Sequence, residues 1–472
     1  MSHIPNATAV NSFQECIFDP QLLRRFDVSG PRYTSYPTAD RFVEAYAADS
    51  YTSWLQRRNV GGIAKPLSLY VHIPFCSSIC YYCACNKVIT KDHSRSARYV
   101  KYVGKEIALQ AEALAGPREV VQLHWGGGTP TFLSPSEMTE LMGAIREHFH
   151  LVPNGEYSVE VDPRKVPAET VAVLAELGFN RMSIGVQDFD HDVQQAVNRI
   201  QSAGETALVV NAARAQHFKS VSIDLIYGLP RQHVISFNRT LEQVLDLHPD
   251  RISLYSYAHL PGLAKPQRRI NEAELPSPET KLQLLQLAIR RFTDAGYVYI
   301  GMDHFARPDD ELAVAQRQGR LHRNFQGYST HADADLMAFG ISAIGKVGSS
   351  YSQNVKTLDD YYDALDMGRL PIMRGIELTA DDLARRAIIQ ALMCHFEVSI
   401  ESIEIAHLLD FSSYFATELD ALREMQDAGL VTVDAQWITV EPRGRLLVRA
   451  IAMVFDRYLR AERERARYSK VI

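Results

Sequence analysis

No apolar run in this chain approaches the roughly 18 residues that a membrane helix requires. The stretch from Met1 to Asp19 has no cationic segment followed by an apolar one. Neither a membrane span nor a secretory leader is expected, and the expected compartment is the reducing cytoplasm. Cysteine is scarce, six in 472 residues, which excludes a disulfide framework. Neither sign of charge dominates: 50 Lys and Arg stand against 56 Asp and Glu, a net charge of −6. A protein that coats nucleic acid by charge alone needs the opposite balance. Apolar residues are not lacking: 46% of the chain is hydrophobic and 22% charged, a globular balance that argues against disorder. The length suits roughly three domains, or one large α/β barrel with a smaller partner, and buries a large core without a disulfide or metal staple.

What is present is a regular alternation. Short apolar runs read as strands at Leu67 to Ile73, Val120 to Trp125, Tyr157 to Val161, Arg181 to Val186, Val221 to Ile226 and Arg251 to Tyr257. Helical spacing fills the intervals, at Ser96 to Ala115, Ala168 to Leu177, on to Ala215, and Ser236 to Leu247. Ser134-Pro135-Ser136-Glu137 is a capping box with proline at the first helical position. Ser277-Pro278-Glu279 opens a long helix to about Gly296, and a further strand is expected at Tyr297 to Gly301. Strands separated by helices of this length mean βαβ units and a parallel sheet, either open or closed as a barrel. Ahead of them, Gly30 to Pro37 holds two prolines and a glycine in eight residues, which excludes a helix and predicts an extended segment. From about Thr379 helices dominate. Gly429 to Val440 then reads as two strands around a short turn, with a helix through Phe455. This texture suggests a small winged-helix-like domain, and Arg457 to Ile472 reads as a solvated helix end.

The cysteines are unevenly placed. Cys76, Cys80, Cys83 and Cys85 fall within ten residues, whereas Cys16 and Cys394 stand alone. Cys76, Cys80 and Cys83 are separated by three and two residues, in a loop that directly follows the first strand. Three thiolates so close wrap three corners of a cubane iron–sulfur cluster and leave one iron open to a ligand. Cys85 lies only one residue beyond Cys83, which strains chelation of one metal by both. A structural zinc knuckle is the plainer alternative, although its second cysteine pair is missing. A redox dithiol is a third.

Gly126-Gly127-Gly128 follows the second strand. Glycines admit a ligand close to the backbone. Without a following Lys-Ser/Thr the run is no P-loop, and three in a row exceed what a tight turn needs. Glu160 and Asp162 end the third strand, Gln187 ends the fourth, Asp224 belongs to the fifth, and Ala258-His259 ends the sixth. Each suits an ordinary polar strand end. Together with the cysteine loop and the glycines they mark one end of the strands, where parallel βα barrels build their sites.

The cysteine spacing, with an aromatic just before the third thiol, resembles the signature of the radical S-adenosylmethionine (SAM) enzymes. Further stretches are similar to one family among them, the oxygen-independent coproporphyrinogen III dehydrogenases. They are Gly30 to Pro37, Tyr70-Val71-His72-Ile73-Pro74-Phe75-Cys76, His124-Trp125-Gly126-Gly127-Gly128-Thr129-Pro130-Thr131 and Asp224-Leu225-Ile226-Tyr227-Gly228-Leu229-Pro230. Met302-Asp303-His304-Phe305-Ala306-Arg307 and His322-Arg323-Asn324-Phe325-Gln326-Gly327-Tyr328 extend the likeness, which runs from about residue 20 to the end. The resemblance implies an α/β fold: an incomplete parallel (β/α) TIM-like barrel over residues 61–375. An N-terminal extension, 1–60, reaches back over the active site, and a C-terminal helical, winged-helix-like domain with a β-hairpin occupies 376–472.

It also implies roles. Cys76, Cys80 and Cys83 would ligate a 4Fe-4S cluster, with Cys85 outside the ligand set. Tyr70, Gly127 and Glu160 would contact the SAM on the open iron, the glycine loop holding its amino group. Tyr82, Gly128, Thr129, Gln187, Arg199, Asp224, Ala258 and Ile344 would form a second SAM site. All match the family's residue types except Tyr82, where Phe is common; the hydroxyl leaves the aromatic surface intact. The substrate would be coproporphyrinogen III, two of whose propionates become vinyl groups, giving protoporphyrinogen IX. Four propionates call for guanidinium forks, and Arg32, Arg307 and Arg323 are the candidates. The chain is expected to work as a monomer, fed by an electron donor such as a flavodoxin-like system, with no nucleic-acid or membrane partner. The acidic context of the C-terminal hairpin favours a substrate lid over nucleic-acid binding. Two rivals stand beside this reading. A haem chaperone of the same superfamily shares the barrel but lacks the Gly30 to Pro37 segment. A radical SAM enzyme of haem breakdown would transfer a methyl group.

Overall fold

Strands of a parallel sheet are covered on both faces and read as unbroken apolar runs. Leu67–Ile73 (β1) behaves so: every residue but Tyr70 is buried. The computed structural model describes residues 16–58, 65–164, 166–332 and 334–461. Five more strands follow in register, each parallel to the one before: Glu119–Gly127 (β2), His150–Val161 (β3), Arg181–Gln187 (β4), Ser220–Tyr227 (β5) and Arg251–Ser256 (β6). The helices Ser94–Ala113, Pro135–His148, Ala168–Glu176, Ala203–Ala215 and Val234–Asp246 connect them. Ser134 caps its helix as predicted, its hydroxyl accepting from the Glu137 N–H while the Glu137 carboxylate accepts from the Ser134 N–H.

This half-barrel belongs to one of two compact units, Ala39–Leu284 with His331–Leu378. The same unit adds Asp335–Phe339 (β7), parallel to β1 on its other side. Ile344–Val347 (β8), Ser350–Asn354 (β9) and Ile372–Glu377 (β10) then run antiparallel outward. The order β10-β9-β8-β7-β1-β2-β3-β4-β5-β6 is an incomplete (β/α) barrel extended by a meander. The sequence reading assigned nothing to β7–β10.

The second unit comprises the described residues of Met1–Thr38, Leu285–Thr330 and Thr379–Ile472. The units cut across the three segments expected from sequence. The Gly30 to Pro37 stretch forms no helix, as expected, but it is not extended throughout: Tyr33 takes φ +47° and residues 34–37 bend. It groups with the C-terminal segment because Arg449 holds it: Nε donates to the Pro31 carbonyl at 3.3 Å and a terminal nitrogen to that of Gly30. Tyr33 donates to Asp456 at 3.0 Å. Around that stretch the N-terminal region is more helical than anticipated, with Pro20–Phe26 and Ala48–Arg57. The expected boundary at 60/61 lies outside the described residues, as does the chain beyond 461.

The strand expected at Tyr297 to Gly301 forms at Val298–Gly301, but it is no additional βα unit. It pairs antiparallel with His304–Ala306. Only Met302 and Asp303 separate the two, and a parallel crossover needs about a dozen residues. The C-terminal segment packs the helices Ala380–His395, Ile400–His407 and Ala416–Asp427 with the anticipated hairpin, Val431–Val433 and Trp437–Val440. A third strand, Glu397–Ser399, pairs with the second, which completes a winged-helix arrangement. Among the described residues no helix is long and apolar enough to cross a membrane.

Candidate functional site

The cysteine loop leaves β1 and is closed at its stem by backbone hydrogen bonds, Val88 N–H to Pro74 O at 2.7 Å and Thr90 N–H to Cys76 O at 3.0 Å. Its tip is held from outside. Tyr81 N–H donates to Val197 O at 2.9 Å, and the Asn198 side chain donates to Ile79 O at 2.7 Å. Cys76, Cys80 and Cys83 thereby line one cavity of about 170 Å³ that opens to solvent. Cys85 lines it too. Among the described residues the thiols do not converge as the donors of a single ion do. A cubane, whose irons sit at separate corners, does not ask them to. A chain of four cysteines on one loop, three of them a buried or half-buried set facing a common cavity, has the donor chemistry that a cluster requires.

The three thiols have different surroundings. Cys76 Sγ lies 3.4 Å from the Thr129 hydroxyl, and burial pushes its thiol up to about 11. Cys83 is held down to about 6 by the Cys85 thiol and the Lys87 ammonium, and Cys85 is correspondingly pushed up by Cys83. Lys87 Nζ also donates to the carbonyls of Cys83 and Cys85, each at 3.1 Å. Cys80, the most buried, faces two guanidiniums: Arg199 at 3.6 Å and Arg164 at 3.7 Å.

Glycines set the opposite rim. Gly128 N–H donates to Ile73 O at 2.7 Å, and a Cβ there would stand 2.7 Å from the Pro74 carbonyl, against backbone that cannot retreat. Gly127 has φ +116°, and a Cβ would meet the His72 ring at 2.6 Å. Its N–H donates to Glu160 at 3.1 Å, and the other Glu160 oxygen accepts from His124 Nε2 at 3.2 Å. Burial alone would raise the Glu160 carboxyl. The His124 bond and charge and the Gly127 bond outweigh it, so the group is held below its ordinary range. Its side chain is 45% exposed at the cavity, an ionised acceptor suited to an ammonium group. Tyr70 stacks on His124 at 5.8 Å and donates toward His72, so it braces Glu160's partner from behind the cavity wall.

Tyr82, Gly127, Gly128, Thr129, Glu160, Gln187, Arg199 and Asp224 all line the cavity; Tyr70, Ala258 and Ile344 do not. Ala258 is tied to the wall through Gln267, whose amide donates to the carbonyls of both Ala258 and Tyr82. Ile344 is half-buried at the start of β8. Gln187, at the end of β4, takes φ +68°, a left-handed conformation uncommon outside glycine and typical of positions that the surroundings over-determine. Asp224 lies inside β5, as the sequence places it, opposite Gly185 and Ser253. Ser183 donates to it at 3.0 Å, and burial with the Glu160 charge lifts its carboxyl to about 6.

The three arginines considered for substrate belong to the other unit. Arg32 is ion-paired with Asp303. Arg323 is buried, donates to the Arg32 carbonyl at 3.2 Å and lies over Tyr328 at 4.8 Å. Arg307 is half exposed, 3.4 Å from the still more exposed Asp309. Sequence reasoning missed Arg164 and Lys87 as cavity residues. The pattern Asp162-Pro163-Arg164 immediately after β3 was the available signal for the first.

Residues 70–244 match the model of the radical SAM superfamily, and residues 378–447 match that of the HemN C-terminal domain. The chain is 52% identical over 457 residues to the oxygen-independent coproporphyrinogen III oxidase of Pseudomonas aeruginosa, covering 96% of this chain and 99% of that one. To the enzyme of that name from Escherichia coli it is 47% identical, with 98% and 100% covered. A solved structure of coproporphyrinogen III oxidase (HemN) from Escherichia coli, described as a radical SAM enzyme, matches with a TM-score of 0.90 at 46% identity. The match covers 94% of this chain and 100% of that one.

Proposed function

This chain belongs to the oxygen-independent coproporphyrinogen III oxidases of the radical SAM superfamily, and from that premise we propose which of its residues carry the reaction. It is an oxidoreductase of haem biosynthesis that oxidises the tetrapyrrole coproporphyrinogen III without oxygen, using a 4Fe-4S cluster and SAM. Cys76, Cys80 and Cys83 hold the cluster. Glu160 and the Gly127 backbone receive the amino-acid end of the SAM on the open iron, with Tyr70 holding the wall behind them. Tyr82, Gly128, Thr129, Gln187, Arg199, Asp224, Ala258 and Ile344 form the place of a second SAM. When bound, the cluster and SAM would supply the radical chemistry by which a propionate side chain is oxidatively decarboxylated to a vinyl group. The protein's part is placement. The observation that carries the reading is the single cavity that gathers three thiols, the Glu160 carboxylate and the glycine rim.

Arg307, half exposed, is the readiest of the three arginines to meet a propionate, whereas Arg32 would have to exchange Asp303 for one. A flavodoxin-like one-electron donor, a monomeric state and a cytoplasmic location complete the proposal. The test is an anaerobic assay of the reduced protein with SAM and coproporphyrinogen III, following CO2, 5′-deoxyadenosine and vinyl product. Tight haem binding or methyl transfer to haem, without decarboxylation, would overturn it.

Two predictions arise here. Cys85→Ser should keep the iron content and cluster spectrum of the wild type, because one intervening residue does not let Cys85 share ligation with Cys83. Iron loss equal to that of Cys83→Ser would put Cys85 in the ligand set. Gln187→Ala and Asp224→Ala should lower the number of SAM molecules bound and leave the cluster intact. A lost hydrogen bond to a charged or buried partner costs roughly 1.5–3 kcal/mol, about tenfold to hundredfold in affinity. A carboxyl lifted to about 6 takes up a proton below that pH, so the Asp224 contribution should fade as pH drops through 6. Asp224→Asn should then differ from wild type at pH 8 and match it near pH 5. Unchanged SAM stoichiometry with a lowered melting temperature would make both residues structural.

A further inference from the structure

The three thiols are not equivalent. Cys76 faces a neutral hydroxyl and Cys83 a thiol and an ammonium, while Cys80 alone faces two guanidiniums. Both are braced on one carboxylate. Arg164 meets Asp162 side-on, Nε at 2.9 and 3.1 Å from its two oxygens and Nη2 at 2.6 Å. Arg199 Nη1 reaches the same carboxylate at 3.1 Å. Pro163 between Asp162 and Arg164 fixes the backbone where the chain leaves β3. The nitrogens that hold the carboxylate, Arg164 Nη2 and Arg199 Nη1, also lie 3.7 and 3.6 Å from the Cys80 sulfur, and two cations against one anion leave a net positive charge there.

We propose that Arg164, together with Arg199 and braced by Asp162, hydrogen-bonds the Cys80 thiolate to set the reduction potential of the cluster. The proposal rests on Cys76, Cys80 and Cys83 as the cluster ligands. Reduction adds one electron, and so one negative charge, to the cluster. N–H···S bonds and nearby positive charge stabilise that more negative state and raise the potential. Arg164 is a positioning residue in this scheme. Its Nε and Nη2 clamp the carboxylate side-on while Nη2 also faces the sulfur, a two-nitrogen hold that a lysine ammonium does not have. Asp162 is the brace, held below its ordinary carboxyl range by the two guanidiniums against the opposing effect of burial.

The experiment compares wild type, Arg164→Gln and Arg164→Lys after anaerobic cluster loading, with dithionite as the electron source. Iron and sulfide content are measured first, and absence of a cluster from the wild type would defeat the ligand reading itself. With iron content matched, a redox titration followed by the electron paramagnetic resonance of the reduced cluster should place Arg164→Gln at a more negative midpoint than wild type. Arg164→Lys, which keeps charge without the fork, should fall between. Midpoints equal to wild type in both variants would overturn the proposal. So would loss of the cluster from both, which would make Arg164 an assembly residue. Loss from Arg164→Gln alone leaves the decision to the Arg164→Lys midpoint, which must then lie below wild type.

Discussion

Cys76→Ser, Cys80→Ser and Cys83→Ser should each abolish iron binding and all turnover, the largest effect expected of any substitution in this chain. The anaerobically purified wild type should carry about four irons per chain, as a cubane requires. Serine is nearly the size of cysteine, but its hydroxyl does not supply the thiolate that binds iron. The fold gives no reason for these variants to collapse. The loop is fastened by backbone hydrogen bonds at Pro74, Cys76 and Cys80, none of which uses a sulfur. The metal-free variants should therefore unfold at the same temperature as the metal-free wild type. Apo-protein stability and iron content together separate a lost ligand from a lost fold. Stoichiometric zinc in the wild type, with no iron, would refute the cluster reading.

The barrel strands were legible because both their signals are local: a short run of apolar residues and a capped amphipathic helix after it. Ser134 and its Glu137 illustrate this, a capping box whose two hydrogen bonds close within four residues. The gathering of Cys76, Cys80 and Cys83 on one cavity was legible for the same reason, since they sit within a few residues of one loop. β7–β10 were not, because their partners lie far away in sequence. Asp335 pairs with Leu67 on the adjoining strand β1, far back in the sequence, and nothing near Asp335 announces it. The strand at Val298–Gly301 was legible as a strand but not in direction, which the two-residue turn at Met302-Asp303 decides. Asp224 was legible as a residue of the fifth strand, but its neighbours Gly185 and Ser253 follow only from the register with β4 and β6. Arg164 was missed because an arginine after a strand is ordinary in sequence and becomes informative only when its fork is seen against Cys80.

Asp335→Ala should cost about 3–5 kcal/mol of stability and leave the chemistry of the folded protein intact. Asp335 opens β7 at the end where β1 also begins, Leu67 being its register partner. Its carboxylate accepts from Arg58 Nε at 2.9 Å, and both side chains are 1% exposed. The second oxygen accepts from Gly348 N–H at 3.0 Å. Arg58 further donates to the carbonyls of Pro117 at 2.9 Å, Ala115 at 3.4 Å and Lys65. One ion pair thus gathers β7, the approach to β1 and the approach to β2. Removing one partner leaves a buried guanidinium charge uncompensated, and such breaks cost about 3–5 kcal/mol. Three carbonyls still hold that guanidinium, which argues for the lower end of the range. Replacing both groups together, as in Arg58→Met with Asp335→Leu, should cost less than the sum of the single changes, since no charge is then stranded. The cysteine loop and Gly127 lie at the opposite, C-terminal ends of β1 and β2. In parallel barrels that end carries chemistry while the other carries stability. Denaturant unfolding measured beside kcat and KM on the folded fraction decides the matter. A large loss of kcat without a loss of stability would place Asp335 in the active site rather than in the frame beneath it.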